Sequence, residues 1–288
     1  TTMTMSSKDI YGALDVVREC MGQSLNGAKV LGAHMEGPFI NVIYKGAQPE
    51  QCIIKPSYEF IKDYTDVIRL ISYAPEMDED YSFTKDVKEK TDITLSIGHT
   101  NATYDQAKEA FSLGCSHVTH LFNAMTPLNH REPGVVGASL TSDVFTELIA
   151  DTIHVNKQLF QFVLDNKGKE KMVLITDSMR AGCMKDGQYD LGGQSVFVKD
   201  GAARLESGHL AGSVLTLNKA IYNFLQNTNA TVAEVIHMAS LNPATSIGVS
   251  DRKGSLEIGK DADIAIFDEK MNCYLSIVEG REVYNQLY

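Results

Sequence analysis

The sequence predicts an α/β fold: a parallel sheet with helical crossovers, followed by a small β module. Three observations predict it. Short apolar runs alternate with helix-patterned segments up to about residue 185, the rhythm of strands joined by helices. Beyond that point "YDLGGQSVFVKDGAARLESGHLAGS" is Gly-rich with alternating apolar residues, as in short antiparallel strands. The tail, "GSLEIGKDADIAIFDEKMNCYLSIVEGREVYN", has the same alternation, with turn signals at Gly259-Lys260-Asp261 and Glu279-Gly280.

Taken in order, a loop leads into a helix over Ser7–Cys20. Candidate strands follow at 28–32 (AKVLG), 68–72 (IRLIS), 93–97 (ITLSI), 117–120 (HVTH), 146–150 (TELIA) and 172–176 (MVLIT). Thr103 to Gln106 has the form of a capping box, with Ala107, Ala110 and Phe111 on one apolar face and a stop at Gly114. A second helical segment covers 157–164. Leu217, Ala220, Ile221, Phe224 and Leu225 recur at helical spacing, and Thr231 to Glu234 opens another capped helix ending near Gly248. The expected organisation is a βα domain over 1–249, with a β insertion around 186–212, and a small β module over 250–288.

The 288 residues are 43% hydrophobic and carry a formal net charge of −11. With no basic tract, nucleic acid and anionic membranes are not expected partners. No apolar run approaches the roughly 18 residues of a membrane span. Five scattered cysteines without a CxxC pair are expected as free thiols in a cytoplasmic protein.

In parallel α/β folds, chemistry gathers at the C-terminal ends of the strands. The residues just past the apolar runs are His34 and Glu36, His99, His120, Asp151 and His154, and Asp177. Each alone has a structural reading. A strand-end histidine is more often a hydrogen-bonded structural residue, Glu36 can accept turn N–H groups, and Asp177 can cap the next helix. His117 reads as structural, and His130, His209 and His237 as structural or surface. Together, a carboxylate and two imidazoles on one sheet face suit Zn²⁺, Fe²⁺ or a similar divalent ion. A further aspartate can then act as a base toward water.

The stretches "GAHMEGPFIN", "SIGHTNATYDQA", "THLFNAMTPLNHREPGVVGA", "ADTIHVN", "LITDSM", "LAGSVLTLN" and "NPATSIGVSDRKGSLEIGKDADIAIFD" resemble the N-acetylglucosamine-6-phosphate deacetylases of the amidohydrolase superfamily. The resemblance covers essentially the whole chain. The last stretch is common to the wider superfamily and speaks for fold more than substrate.

The resemblance implies a TIM-like (β/α)8 metal-dependent hydrolase barrel with a small β-sandwich module. Glu36, His99 and His120 would hold a divalent ion, zinc first, with iron, cobalt or manganese as alternatives. Asp177 would be the general base and then the general acid. Asn123 and Ala124 would help bind the sugar phosphate, His154 the sugar, and Arg131 would reach across a homodimer interface to the neighbour's phosphate. The reaction would release acetate and glucosamine 6-phosphate. A related N-acetyl amino-sugar phosphate of galactosamine type, or sugar-phosphate binding without catalysis, are the alternative readings.

Two departures from the family pattern stand out. Gln48 occupies the place where some members carry a histidine that polarises the acetyl carbonyl; an amide can donate there but cannot be protonated. Members with glutamine here resemble a two-metal branch that uses an HxH pair on the first barrel strand, and this sequence has no HxH. The six strands would be barrel strands three to eight, the chain starting in the loop after strand two. Such an open barrel would expose two edges, with poor stability and little activity expected.

Overall fold

In the computed structural model, which describes residues 1–287, six short strands form one parallel sheet in the order β1 to β6. They are β1 (Ala33–Glu36), β2 (Ile68–Tyr73), β3 (Thr94–Ile97), β4 (His117–Val118), β5 (Phe145–Ile149) and β6 (Met172–Ile175). The sheet curls into a half-barrel. Its register sets the functional face. Glu36 pairs with Ser72, Ser72 with Ser96, and Ser96 with His117, so the strands end at nearly one level and their following residues emerge together.

The helices are α1 (Ser7–Cys20), α2 (Tyr58–Ile61), α3 (Ser82–Lys90), α4 (Tyr104–Ser112), α5 (Gly134–Leu140), α6 (Phe160–Lys167), α7 (Leu217–Asn227), α8 (Val232–Ala239) and α9 (Leu241–Ser246). From α4 to α8 each packs on the next. Both expected capping boxes form: Thr103 Oγ1 accepts from Gln106 N–H, Thr231 Oγ1 from Glu234 N–H, and each partner side chain accepts in return. The main core lies under the sheet, where Phe39, Phe83 and Tyr73 stack edge to face and Ile71, Phe160 and Phe224 are fully buried.

A three-stranded antiparallel sheet, β7 (Gly187–Leu191), β8 (Gln194–Lys199) and β9 (Ala202–Leu205), covers a second small cluster of Met179, Ala181, Val196, Val198, Ala203 and Ala211. The C-terminal strands β10 (Ile264–Phe267), β11 (Cys273–Val278) and β12 (Arg281–Asn285) form another antiparallel sheet.

Four expectations are corrected. The first strand is Ala33–Glu36, not 28–32: the Leu31 carbonyl is taken by Arg69 Nε and the ladder starts only where Ala33 meets Ile68. His34 is therefore inside the strand. Residues 157–159 form a 3-10 turn, and α6 runs on to Lys167. The helix opened by Thr231 breaks at Ser240, whose φ of −135° is non-helical, into α8 and α9. The Gly259-Lys260-Asp261 turn precedes β10; the two hairpin turns of the C-terminal sheet lie at 268–271 and at Glu279-Gly280.

One buried cation closes α5. The Lys167 ammonium donates to the Ser139 and Ser142 carbonyls at 2.8 and 2.7 Å. Lys167→Met removes the only side-chain donor to both carbonyls among the described residues, leaving Ser139 with the long Ser142 N–H bond at 3.3 Å, and is expected to cost about 2 kcal/mol, lowering Tm by several degrees. Burial pulls the ammonium's pKa down from 10.5 to about 8. Between these values the unfolded chain binds more protons, so the lysine's contribution to stability becomes more favourable as pH rises through that window. Thermal unfolding of both proteins at several pH values between 7 and 11 checks both points.

Candidate active site

Glu36 ends β1. His99 and His120 each follow their strand with left-handed backbone, φ +48° and +31°, and Asp177 follows β6 at φ +49°. Such values are uncommon for residues with a Cβ and concentrate at functional sites. They swing each side chain off the strand axis toward one point.

Hydrogen bonds fix the ring tautomers. His99 Nδ1–H donates to the Tyr44 carbonyl at 2.8 Å, and His120 Nδ1–H to the Asn123 carbonyl at 3.1 Å. In the neutral rings both Nε2 atoms are therefore bare lone pairs. They lie 3.2 Å apart, and 2.8 and 3.5 Å from Glu36 Oε1. All three residues are buried.

Three electron pairs facing one another demand a cation. Burial alone would raise the pKa of the Glu36 carboxyl, yet the His120 and His99 hydrogen bonds hold it well below the usual range. Burial would depress that of His120, but Glu36 outweighs it and lifts His120 to about 9. A proton thus satisfies the cluster, and so would a divalent metal. Ligand atoms about 2.1 Å from a tetrahedral ion lie about 3.4 Å apart, and the three separations bracket that value.

The triad opens on a cavity of 1010 Å³ that also includes Gln48, Asn123, Ala124, His154 and Asp177. Gln48 Nε2 donates to Glu36 Oε1 at 3.3 Å, while its Oε1 accepts from Thr4 N–H at 2.6 Å. His154 Nδ1 contacts Asp151 Oδ2 at 2.6 Å. Burial, with the Glu36 charge adding, raises the Asp177 carboxyl to about 6. Arg131 sits on the exposed turn before α5, outside this chain's own cavity.

Other expectations stand as follows. His130, His209 and His237 are exposed. His117 is fully buried with Nδ1 at 3.1 Å from Ser96 Oγ. Sequence reasoning missed Arg180, the one Lys or Arg among the described residues lining the cavity; it pairs loosely with Asp190 at 3.5 Å. It also gave no role to Leu210 and Gly212 on the cavity wall. Gly212 has φ +59°, and a Cβ there would stand 3.2 Å from the Asp177 carbonyl. That carbonyl accepts from Ser213 N–H at 2.7 Å, which pins the Asp177 backbone. The glycine of "LAGS" was the available signal. No helix of the described residues is long and apolar enough to cross a membrane.

Residues 1–285 match the amidohydrolase family. An N-acetylglucosamine-6-phosphate deacetylase of Bacillus subtilis is 41% identical over 97% of this chain and 72% of its own length. An N-acetylgalactosamine-6-phosphate deacetylase of Escherichia coli O157:H7 is 36% identical over 98% of this chain and 75% of its own. The crystal structure of the Thermotoga maritima N-acetylglucosamine-6-phosphate deacetylase superposes with a TM-score of 0.93 at 35% identity, covering 99% of this chain and 78% of that one.

A cation must displace the proton held near His120. With that pKa raised to about 9, apparent Zn²⁺ affinity is expected to rise about tenfold per pH unit from about 7 to about 9 and then level off, one proton leaving per ion bound. Chelator competition across pH, with calorimetry in two buffers, checks this. Glu36→Gln is expected to weaken binding by more than about 100-fold.

Proposed function

Because the chain belongs to the amidohydrolase family, in the group of the N-acetylglucosamine-6-phosphate deacetylases, we propose that it hydrolyses the acetamide of N-acetylglucosamine 6-phosphate. It is a C–N amide hydrolase whose products are acetate and glucosamine 6-phosphate. The observation that carries this reading is the meeting of Glu36, His99 and His120 in the cavity that Asp177 also lines.

Glu36, His99 and His120 would hold a divalent cation, zinc in the first place. Bound there, it supplies Lewis-acid activation of water and of the acetyl oxygen. The protein's own groups do the rest. Asp177 takes a proton from the attacking water and returns it to the amide nitrogen as the C–N bond breaks. A carboxyl lifted toward neutrality by its buried setting suits a group that must both accept and give a proton. Gln48 has a second amide N–H available for the oxygen that gains negative charge.

Substrate is held at a distance from the reacting carbon. Asn123 and Ala124 bind the sugar phosphate, and His154, braced by Asp151, binds the sugar. Arg131, exposed on its turn, serves the neighbouring site of a homodimer. An acidic protein holding a phosphate needs such a local guanidinium. The binding energy of the remote phosphate is spent on placing the acetyl group. The likeness to a galactosamine enzyme favours its epimer as a second reading, which comparing kcat/KM on the two sugar phosphates decides. The wider proposal is a cytoplasmic enzyme whose six parallel strands are strands three to eight of a (β/α)8 barrel. Its barrel domain covers 1–249, and 250–288 contribute to a small β-sandwich.

Asp177→Asn is expected to lower acetate release by about 10³-fold or more while Zn²⁺ content stays at the wild-type value. Unchanged turnover removes Asp177 from its role. Arg131→Ala is expected to raise KM and lower kcat together. Mixing Arg131→Ala and Asp177→Asn subunits should then restore part of the activity, since one subunit brings the arginine and the other the base. No recovery on mixing argues against a shared site.

A further inference from the structure

The layer beneath the triad is polar, although barrels of this type usually fill it with Val, Ile and Leu. His34 Nε2 meets Ser72 Oγ at 2.7 Å, Ser72 meets Thr119 Oγ1 at 2.5 Å, and Thr119 meets Ser96 Oγ at 2.6 Å. Ser96 then reaches His117 Nδ1 at 3.1 Å, and His117 faces Glu147 Oε1 at 3.9 Å. The chain thus crosses from β1 to β5. Its last member is a carboxyl group only 5% exposed, and burying such a group is expensive. The reaction described above makes no use of it.

Glu147 grips the backbone at His120 and at the next residue, Leu121. Its Oε2 accepts from His120 N–H at 3.2 Å, and its own carbonyl accepts from Leu121 N–H at 2.9 Å. The grip falls just beyond the end of β4 at Val118. It also falls on a residue with φ +31°, a conformation that persists only when its surroundings impose it.

We propose that Glu147 is a positioning residue for the cation site: its side chain fixes the left-handed turn at His120 and so aims the His120 Nε2 lone pair at the point shared with Glu36 and His99. The inference rests on the reading of those three residues as a cation site. What matters is the reach of the acceptor, not its being a carboxyl.

Two soft substitutions separate these. Glu147→Gln keeps an oxygen at the same reach with an amide in place of the carboxyl. Glu147→Asp keeps the carboxyl but withdraws the oxygen by one methylene. Zn²⁺ affinity is measured by chelator competition, with Co²⁺ as a spectroscopic probe of ligand geometry and thermal unfolding as the check on folding. The expected result is Glu147→Gln within about threefold of wild type, and Glu147→Asp weaker by about tenfold or more with an altered Co²⁺ visible spectrum. Glu147→Gln as weak as Glu147→Asp, or Glu147→Asp indistinguishable from wild type, overturns the inference. A wild-type chain that binds no Zn²⁺ overturns the cation site itself, and this inference with it.

Discussion

Everything near the cavity serves one electrostatic demand: two imidazole lone pairs and a carboxylate oxygen held within 4.8 Å of one another, out of water. Such an arrangement repels itself unless a positive charge sits among its members. The sheet answers the geometric part. Parallel strands in matched register deliver Glu36, His99 and His120 to one level from three points in the chain. The carbonyls of Tyr44 and Asn123 answer the chemical part by holding each Nδ1 proton, so that the opposite nitrogen is left bare.

The loops over the site are tied to one another as well as to the sheet. Gln194 on β8 donates to the Ala47 carbonyl, next to Gln48. Ser213 holds Asp177 through the backbone, and Ser213 Oγ also donates to the Thr176 carbonyl. Thus the antiparallel sheet β7–β9, which has its own small core, shares its anchoring with residues on both sides of the cavity. Activity-bearing loops on a rigid parallel scaffold are the general arrangement of this fold class.

Much of this was legible from residue order. A polar residue just beyond an apolar run is a position the parallel-sheet rule can find, and it picked out Glu36, His99, His120, His154 and Asp177. Capping boxes marked the starts of α4 and α8 because both partners lie three residues apart. What stayed hidden depends on contacts distant in sequence. The first strand was displaced because an apolar run shows only that a segment can pair, whereas Ile68 decides where pairing begins. Glu147 reads as a polar interruption in "TELIA", and nothing local announces that it faces His117 and His120. The left-handed turns at His99, His120 and Asp177 leave no mark at all, since histidine and aspartate carry no glycine-like signature. Arg180 lay too near Asp177 to stand out from the turn that follows it.

The ligand spacing along the chain carries a mechanical implication. Glu36 and His99 are 63 positions apart, and His99 and His120 another 21. An ion shared by them closes two successive loops that meet at His99, as a staple would, and removes from the unfolded ensemble the freedom those loops would otherwise enjoy. Three strands then cannot come apart singly. Loading the site would turn local fraying of β1, β3 or β4 into an all-or-none event and make resistance to proteolysis a direct gauge of ion occupancy.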